Sequence, residues 1–275
     1  MEAARKIISL LEEGIKKDLS CFDTKFLLES LNSRVNDYKN GELEKYLTDL
    51  QDDTAEQNSL YTGLFVPHSF FFRDRLSFAV LEELLLARIY SRKRGEKKLR
   101  IWSAGCAGGE EAYSLAIILA ELAEKGEIGK DYRIFATDLV ETYLDSAREG
   151  IYPTESLRNV RLELLEKHFS KRGEYLEISP SLKERVHFSG YDLLEKNTQN
   201  PPESIFGEFD LISCCNVFIY YSKQARKRIL EKIKYNLAPG GYLLTGRAES
   251  GDLGEDRELV MYSPLTSIYG LASGG

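Results

Sequence analysis

The segment IWSAGCAGGEEAYSLA, Ile101–Ala116, joins an apolar run to a glycine-rich loop and then to an amphipathic pattern. The apolar run predicts a strand over 99–104, and the spacing of apolar residues after the loop predicts a helix over 110–123. In parallel α/β sheets, ligands bind at the carboxyl ends of strands that are followed by such turns. The segment therefore predicts an α/β fold with a ligand site where the first strand ends.

The same alternation continues along the chain. Further strands are predicted at 132–137, 209–215 and 242–245, with helices at 140–148 and 225–237 between them. We expect the tail, 258–271, to form a closing pair of strands. Two short strand candidates, 175–178 and 186–188, are separated by Pro180, and we expect them to pair as a small antiparallel insertion within about 170–190. The pattern thus predicts an α/β fold class, with a mostly parallel sheet and a small antiparallel β insertion.

The N-terminal part of the chain has a different pattern. Apolar residues recur at helical spacing over 7–19, 23–35 and 42–50, and no strand pattern interrupts them. We expect a junction at 58–70, where Gly63 and Pro67 lie, followed by a further helical run over 76–92. The predicted organisation is an N-terminal helical domain, 1–70, and a second domain, 71–275.

Composition limits the classes of function. The formal net charge is −7, which argues against a broad nucleic-acid surface, and no apolar run approaches the ~20 residues of a membrane helix. The four cysteines have no CxxC spacing, so we expect no metal site and reduced thiols in a cytoplasmic protein. We also expect a monomer.

Two acidic residues at the start of the helix indicate the kind of ligand. Glu110 and Glu111 would repel a pyrophosphate, but they suit a ligand that is cationic or that offers hydroxyl and amine donors. This favours S-adenosylmethionine over a dinucleotide. A glycine-rich turn with no ligand, needed only for the tight connection, remains the alternative.

Polar residues follow two other predicted strands. Asp138 is placed to accept hydrogen bonds from ribose hydroxyls, and it could equally cap the helix that starts at Val140. Asn216 ends the strand FDLISCC and faces the same crevice, or serves as a turn residue. Tyr220 and Tyr221 follow, and their rings could belong to the core.

The segment FFFRD, Phe70–Asp74, places one cation behind three aromatic residues. Consecutive aromatic residues mostly serve packing, so Arg73 is the informative residue. Its alternative role is a salt bridge to Asp74 or to another neighbour.

Taken together, these segments resemble the chemotaxis receptor glutamate methyltransferases, the CheR family. Six motifs in the family's order carry the resemblance: SFFFRD, IWSAGCAGGEEAYSLA, IFATDL, YDLLE, FDLISCCNVFIYYSK and LAPGGYLLTGRAES. The resemblance implies an N-terminal helical domain and a Rossmann-like S-adenosylmethionine-dependent methyltransferase domain. It also implies methyl transfer from S-adenosylmethionine to glutamate side chains of chemoreceptor cytoplasmic helices, or of another acidic protein substrate.

The resemblance also implies roles for individual residues. Arg73 and Tyr220 are the implied catalytic residues. The implied cofactor-binding residues are Ser69, Arg73, Ala104, Gly105, Glu110, Asp138, Asp192, Leu193, Cys215 and Asn216.

Some positions differ from the family's motifs, and they keep two further hypotheses open. Cys215 replaces an arginine, Asp192 an asparagine and Arg247 a histidine. One alternative is a catalytically weak module that binds S-adenosylmethionine or S-adenosylhomocysteine and serves signalling or scaffolding. The other is a methyltransferase for a different acceptor.

Overall fold

The chain divides into two compact units. The computed structural model describes residues 2–16, 18–37, 43–65, 69–92, 98–204, 206–253 and 256–272. Internal contacts group Met1–Val66 with Ile219–Arg228, which we call the helical unit, and Pro67–Phe218 with Ile229–Gly275, which we call the sheet unit. The predicted second domain, 71–275, includes 219–228, whereas the contacts of 219–228 group this segment with the helical unit.

Backbone pairing and ring stacking explain why 219–228 joins the helical unit. The Asp23 N–H donates to the Tyr220 carbonyl at 2.9 Å, and the Ser222 N–H donates to the Cys21 carbonyl at 2.8 Å. Between these bonds the Phe22 and Tyr221 rings stack with centroids 5.3 Å apart. Such long-range pairing leaves no local signal in the sequence of either segment.

Among its described residues, the helical unit contains the three helices expected from the apolar spacing and a further helix over 54–63. They are α1 Glu2–Ile15, α2 Thr24–Asp37, α3 Leu43–Asp52 and α4 Thr54–Gly63, with a 3₁₀ turn at Leu19–Cys21. Asp53 caps α4, since its carboxylate accepts from the Glu56 N–H at 2.9 Å. The contact grouping changes between Val66 and Pro67, within the junction expected at 58–70; helix α4 occupies that stretch up to Gly63, and 66–68 lie outside the described residues.

The sheet unit starts with two short helices and continues with alternating strands and helices. The helices are α5 Arg75–Val80, α6 Leu86–Arg92, α7 Glu110–Glu124, α8 Glu141–Glu149, α9 Leu162–His168, α10 Pro180–Lys183, α11 Lys223–Asn236, which begins in the helical unit, and α12 Ser250–Leu253. The strands are β1 Leu99–Ala104, β2 Tyr132–Asp138, β3 Ile151–Pro153, β4 Phe169–Arg172, β5 Tyr175–Ile178, β6 Val186–Gly190, β7 Phe209–Cys214, β8 Leu237–Thr245, β9 Leu259–Met261 and β10 Ile268–Leu271. A π-helical turn, Leu81–Leu85, joins α5 to α6. Among the described residues, no helix is long and apolar enough to cross a membrane.

The large sheet confirms the predicted α/β architecture. Within the described residues its strand order is β6-β2-β1-β7-β8-β10-β9. The strands β6, β2, β1, β7 and β8 are parallel, and β10 and β9 are added in antiparallel fashion. β1 lies between β2 and β7, because strands that come later in the chain are added on both sides of it. The carboxyl end of β1 is therefore a topological switch point.

The small antiparallel sheet differs from the expected pairing. Its order is β3-β5-β4, and Val186–Gly190 belongs instead to the large sheet as β6, parallel to β2. The expected pairing of 175–178 with 186–188 is therefore wrong. The physical reason is the tight turn at Gly173, whose φ of 64° allows Arg172 to pair with Tyr175 across a two-residue hairpin loop.

A buried lysine holds the segment that follows β6. Lys232 of α11 is 7% exposed. Its ammonium donates to the Tyr191 hydroxyl at 3.0 Å and to the carbonyls of Glu195 at 2.6 Å and Thr198 at 3.1 Å. These bonds hold the first part of the loop that connects β6 to β7, directly after β6 ends.

Replacing Lys232 by Met keeps the apolar stem and removes the donors, so the three oxygens lose a partner. We expect Lys232→Met to lower the free energy of unfolding by about 2–4 kcal/mol. Urea unfolding followed by fluorescence of the fully buried Trp102, the chain's single tryptophan, measures the change. Lys227→Met, at an exposed position of the same helix, is the control, and equal stabilities of the two variants would contradict the anchoring role.

Candidate functional site

The loop after β1 is tied to the neighbouring strand. The N–H groups of Gly105 and Cys106 both donate to the Thr137 carbonyl, at 2.8 and 3.0 Å. Gly105 has a φ of 77°, and a Cβ there would lie 2.4 Å from Cγ2 of Val217. Gly109 has a φ of 88°, and its Cβ would lie 2.9 Å from the Ala147 Cβ. The positive φ values and the nearby side chains thus require glycine at both positions. This requirement holds without a ligand, as expected for a glycine-rich turn that serves only a tight connection.

Asp138, at the end of β2, connects the loops that follow two strands. Its carboxylate accepts from the Ala107 N–H at 2.8 Å and from the Val140 N–H at 3.0 Å, and also from the Leu139 N–H. Burial raises the pKa of Asp138, and the three N–H groups partly offset this effect. Val140 precedes α8, so Asp138 holds the residue before that helix. A carboxylate has about four acceptor positions, and one remains for a further donor.

Glu110 is the first residue of α7 and is 9% exposed. The Ser69 side chain hydrogen-bonds to its carboxylate, while Oε2 is buried and has no hydrogen-bond partner among the described residues. Burial raises the pKa of this carboxyl. An unpaired buried carboxylate oxygen is costly, and a ligand that donates a hydrogen bond would remove that cost. A hydrogen-bond donor placed at Glu110 Oε2 would therefore lower the free energy of this site.

The residues after β6 lie beside Asp138. Gly190 pairs with Asp138 in register, and the Tyr191 N–H donates to the Asp138 carbonyl at 3.0 Å. Asp192 follows directly, and its carboxylate accepts from the Leu194 N–H at 2.8 Å. Leu193 is buried. A third carboxylate is thus brought to the same edge of the sheet as Asp138.

On the other side of β1, Asn216 follows β7 in a left-handed conformation with a φ of 60°. Its N–H donates to Glu249 Oε2 at 2.9 Å, and the same oxygen accepts from the Gly246 N–H at 2.8 Å. Glu249 is 2% exposed and so joins the ends of β7 and β8. Sequence reasoning did not predict that Glu249 connects these two strand ends. The segment GRAES, which contains Glu249, was the signal available in the sequence.

Cys215 faces a second group of polar residues beneath the loop. Its sulfur lies 3.5 Å from the Ser213 Oγ and hydrogen-bonds to Glu111. The Ser103 hydroxyl donates to Glu111 at 2.7 Å. Burial raises the pKa of both Cys215 and Glu111, so the thiol is neutral at pH 7. Sequence reasoning did not identify this group, because its members come from β1, α7 and β7.

The two implied catalytic residues lie in different units. Arg73 is an exposed residue of the sheet unit, and its guanidinium carbon lies 5.8 Å from the centre of the Phe70 ring. Tyr220 belongs to the helical unit, where its ring packs edge-on against Phe26 at 5.0 Å. Asp74, the alternative partner of Arg73, caps α5 by accepting from the Ser77 N–H and hydroxyl. The joint action of Arg73 and Tyr220 stays a prediction.

The strand registers bring most of the implied cofactor-binding residues to one edge. Ala104 pairs with Thr137 next to Asp138, and Ser103 pairs with Ser213 just before Cys215. The same edge carries Asp138 at the end of β2, Glu110 at the start of α7 and Asp192 two residues after β6. The donor groups of S-adenosylmethionine, an ammonium and two ribose hydroxyls, fit such a set of acceptors, whereas a pyrophosphate would be repelled.

The left-handed turn of the loop can be tested by substitution. Gly126 has a φ of 76°, close to that of Gly105, but a Cβ there has nothing within 4 Å. We expect Gly126→Ala to lower the free energy of unfolding by about 1–2 kcal/mol through backbone strain. Gly105→Ala adds the contact with Val217, and we expect a further loss of about 1–3 kcal/mol. Urea unfolding of both variants measures the difference, and equal losses would show that Val217 does not restrict the loop.

Known proteins match the chain over most of its length. The family model described as "CheR methyltransferase, SAM binding domain" matches residues 68–264. A chemotaxis protein methyltransferase 1 of Pseudomonas aeruginosa is 34% identical over 198 residues, which cover 70% of each chain. A chemotaxis protein methyltransferase of Borreliella burgdorferi is 31% identical over 245 residues, 86% of this chain and 84% of the relative.

A third relative is much longer. An uncharacterized 104.1 kDa protein of Rhodobacter capsulatus is 30% identical over 249 residues, which are 90% of this chain and 25% of the relative. This chain therefore spans about a quarter of that protein. The family match covers the glycine loop, the three carboxylates and both strand ends of the site, and it extends over more than half of the sequence. The chain therefore belongs to the CheR methyltransferase family.

Proposed function

We propose that this chain transfers a methyl group from S-adenosylmethionine to glutamate side chains of chemoreceptor cytoplasmic helices or of a related signalling protein. The observation that carries the proposal is the buried Glu110 Oε2, which has no hydrogen-bond partner among the described residues. The Pseudomonas and Borreliella relatives are named chemotaxis protein methyltransferases, which supports methyl transfer in chemotaxis for this chain. Receptor helices that face the cell interior would place the reaction in the cytoplasm.

The residues of the site divide the binding task. Glu110 would accept from the cationic ammonium of the cofactor, because its free oxygen needs a donor. Asp138 would accept from the ribose hydroxyls with the capacity left by its three backbone bonds. The resemblance assigns the remaining border of the cofactor to Ser69, Ala104, Gly105, Asp192, Leu193, Cys215 and Asn216.

The chemistry requires orientation more than proton transfer. When bound, S-adenosylmethionine supplies a methyl group on a positively charged sulfur, which a carboxylate oxygen takes up to give a methyl ester and an uncharged thioether. A glutamate is already ionised at pH 7, so the acceptor needs no general base. We assign to Arg73 the orientation of the acceptor carboxylate, since a guanidinium binds a carboxylate in a fixed geometry. The resemblance also implies a catalytic role for Tyr220.

One observation favours a second candidate, a cofactor-binding module without transfer. Cys215 stands where the family has an arginine, and its thiol is turned toward Ser213 and Glu111. The position therefore contributes no positive charge. Binding of S-adenosylhomocysteine without methyl transfer would support this candidate.

The role of Glu110 predicts opposite effects on affinity and stability. Glu110→Gln removes the negative charge, so we expect S-adenosylhomocysteine affinity to fall roughly tenfold or more. Because burial raises the pKa of Glu110, the unfolded chain loses this proton at lower pH than the folded chain. The free energy of unfolding should therefore fall as pH rises from about 4.3 through the folded-state pKa, and this decline should be absent in Glu110→Gln.

Calorimetric titration and urea unfolding between pH 4 and 8 measure these two effects. Glu163→Gln, at an exposed position of α9, is the control. Unchanged affinity in Glu110→Gln would refute the ammonium contact, whatever the stability does.

Methyl transfer itself is tested with methyl-labelled S-adenosylmethionine and a chemoreceptor cytoplasmic fragment. We expect label that is released by alkali, as a methyl ester requires, and a loss of at least tenfold in Arg73→Ala. Arg88→Ala, at an exposed position of α6, is the control. Alkali-stable label would assign a different acceptor chemistry, and full turnover of Arg73→Ala would remove Arg73 from the mechanism.

A further inference from the structure

The residue before Arg73 has a strained backbone. Phe72 has a φ of 51°, a left-handed conformation that is uncommon for any residue with a side chain and costly for a bulky aromatic one. Such a conformation persists only where the surroundings impose it. The ring of Phe72 is buried and packs edge-on against Phe78, with centroids 5.4 Å apart.

Two side chains from separate segments hold both backbone polar groups of Phe72. The Phe72 N–H donates to the Ser114 Oγ at 3.0 Å, and the Asn159 side-chain amide donates to the Phe72 carbonyl at 3.0 Å. Ser114 is fully buried in α7, and its own hydroxyl donates to the Glu110 carbonyl at 2.6 Å. The hydroxyl therefore connects Phe72 directly to the first turn of the helix that carries Glu110.

The residues on either side complete the restraint. The Phe71 N–H donates to the Ser156 carbonyl at 2.9 Å, and the fully buried Phe71 ring packs edge-on against Tyr152 at 4.9 Å. After Arg73, Asp74 caps α5. The backbone is thus fixed immediately before and after Arg73, whose exposed guanidinium lies 5.8 Å from the centre of the Phe70 ring and acts on the charge of Glu111.

We infer that Ser114 and Asn159 are positioning residues, which impose the left-handed turn at Phe72 and thereby aim Arg73 at the acceptor carboxylate. The inference rests on the proposed function for the role of Arg73. Relaxation of Phe72 to an ordinary backbone conformation would rotate the chain at the next residue and displace the guanidinium. The bond from Ser114 to Glu110 sets this direction relative to the helix at which the cofactor would bind.

Ser114→Ala and Asn159→Leu each remove one of the two bonds without adding charge. Ser146→Ala is the matched control for the first, since Ser146 makes the same bond to the carbonyl four residues earlier, on α8. Asn58→Leu is the control for the second, because the Asn58 amide donates to a backbone carbonyl in α4.

The first measurement is the Arg73 Nε–H resonance, identified by its absence in Arg73→Ala. We expect it to shift in Ser114→Ala and Asn159→Leu and to stay in place in both controls. An unchanged resonance in both test variants overturns the inference. This measurement needs no turnover, so it decides whether Ser114 and Asn159 position Arg73 even where the chain transfers no methyl group and the proposed function fails.

The second measurement is methyl transfer in a double-mutant cycle. We expect each test variant to lower kcat roughly tenfold, with S-adenosylhomocysteine affinity changed less than twofold, and to cause no further loss in the Arg73→Ala background. An equal loss in both backgrounds would mean that the residues act independently of Arg73 and would overturn the inference. Unchanged kcat in variants whose Arg73 resonance has shifted would overturn it as well.

Discussion

The carboxylate of Asp138 is the interaction on which the arrangement of the site depends. Two loops leave neighbouring parallel strands at the same edge, and each has backbone N–H groups that its own turn does not use. By accepting from Ala107 and Val140, Asp138 satisfies these groups and fixes the spacing of the loops. The glycine loop can therefore stay in a left-handed conformation, and α7 starts with Glu110 facing the site.

The site concentrates acidic groups where burial makes negative charge costly. The pKa values of Glu110, Glu111 and Asp138 are all raised by burial. A fold selected for stability alone would place apolar side chains at these positions. Glu111 accepts a hydrogen bond from the Ser103 hydroxyl, whereas Oε2 of Glu110 has no hydrogen-bond partner among the described residues. Under the proposed function, this cost in stability is offset when Glu110 and Asp138 accept hydrogen bonds from the cofactor.

The sequence predicted the sheet well because its signals are local. The apolar runs and glycine turns that define β1, β2, β7 and β8 lie within a few residues of one another, and so do the acidic residues at the strand ends. The pairing of 175–178 was predicted wrongly, because several apolar segments compete for a partner and only the Gly173 turn decides among them. The bonds from Ser114 and Asn159 to Phe72 were also out of reach, since these residues are separated by tens of positions and carry no charge or motif.

The grouping of 219–228 with the helical unit affects the order in which the two units complete their folding during synthesis. During synthesis the four N-terminal helices leave the ribosome long before the residues that pair with Phe22 and Asp23. Domains generally fold as soon as their sequence is complete. The helical unit is first in the sequence but must wait for its last segment until most of the sheet unit has emerged. Its final packing is therefore a late event of biosynthesis, and a chain truncated after Val66 would lack the segment 219–228 that belongs to this unit.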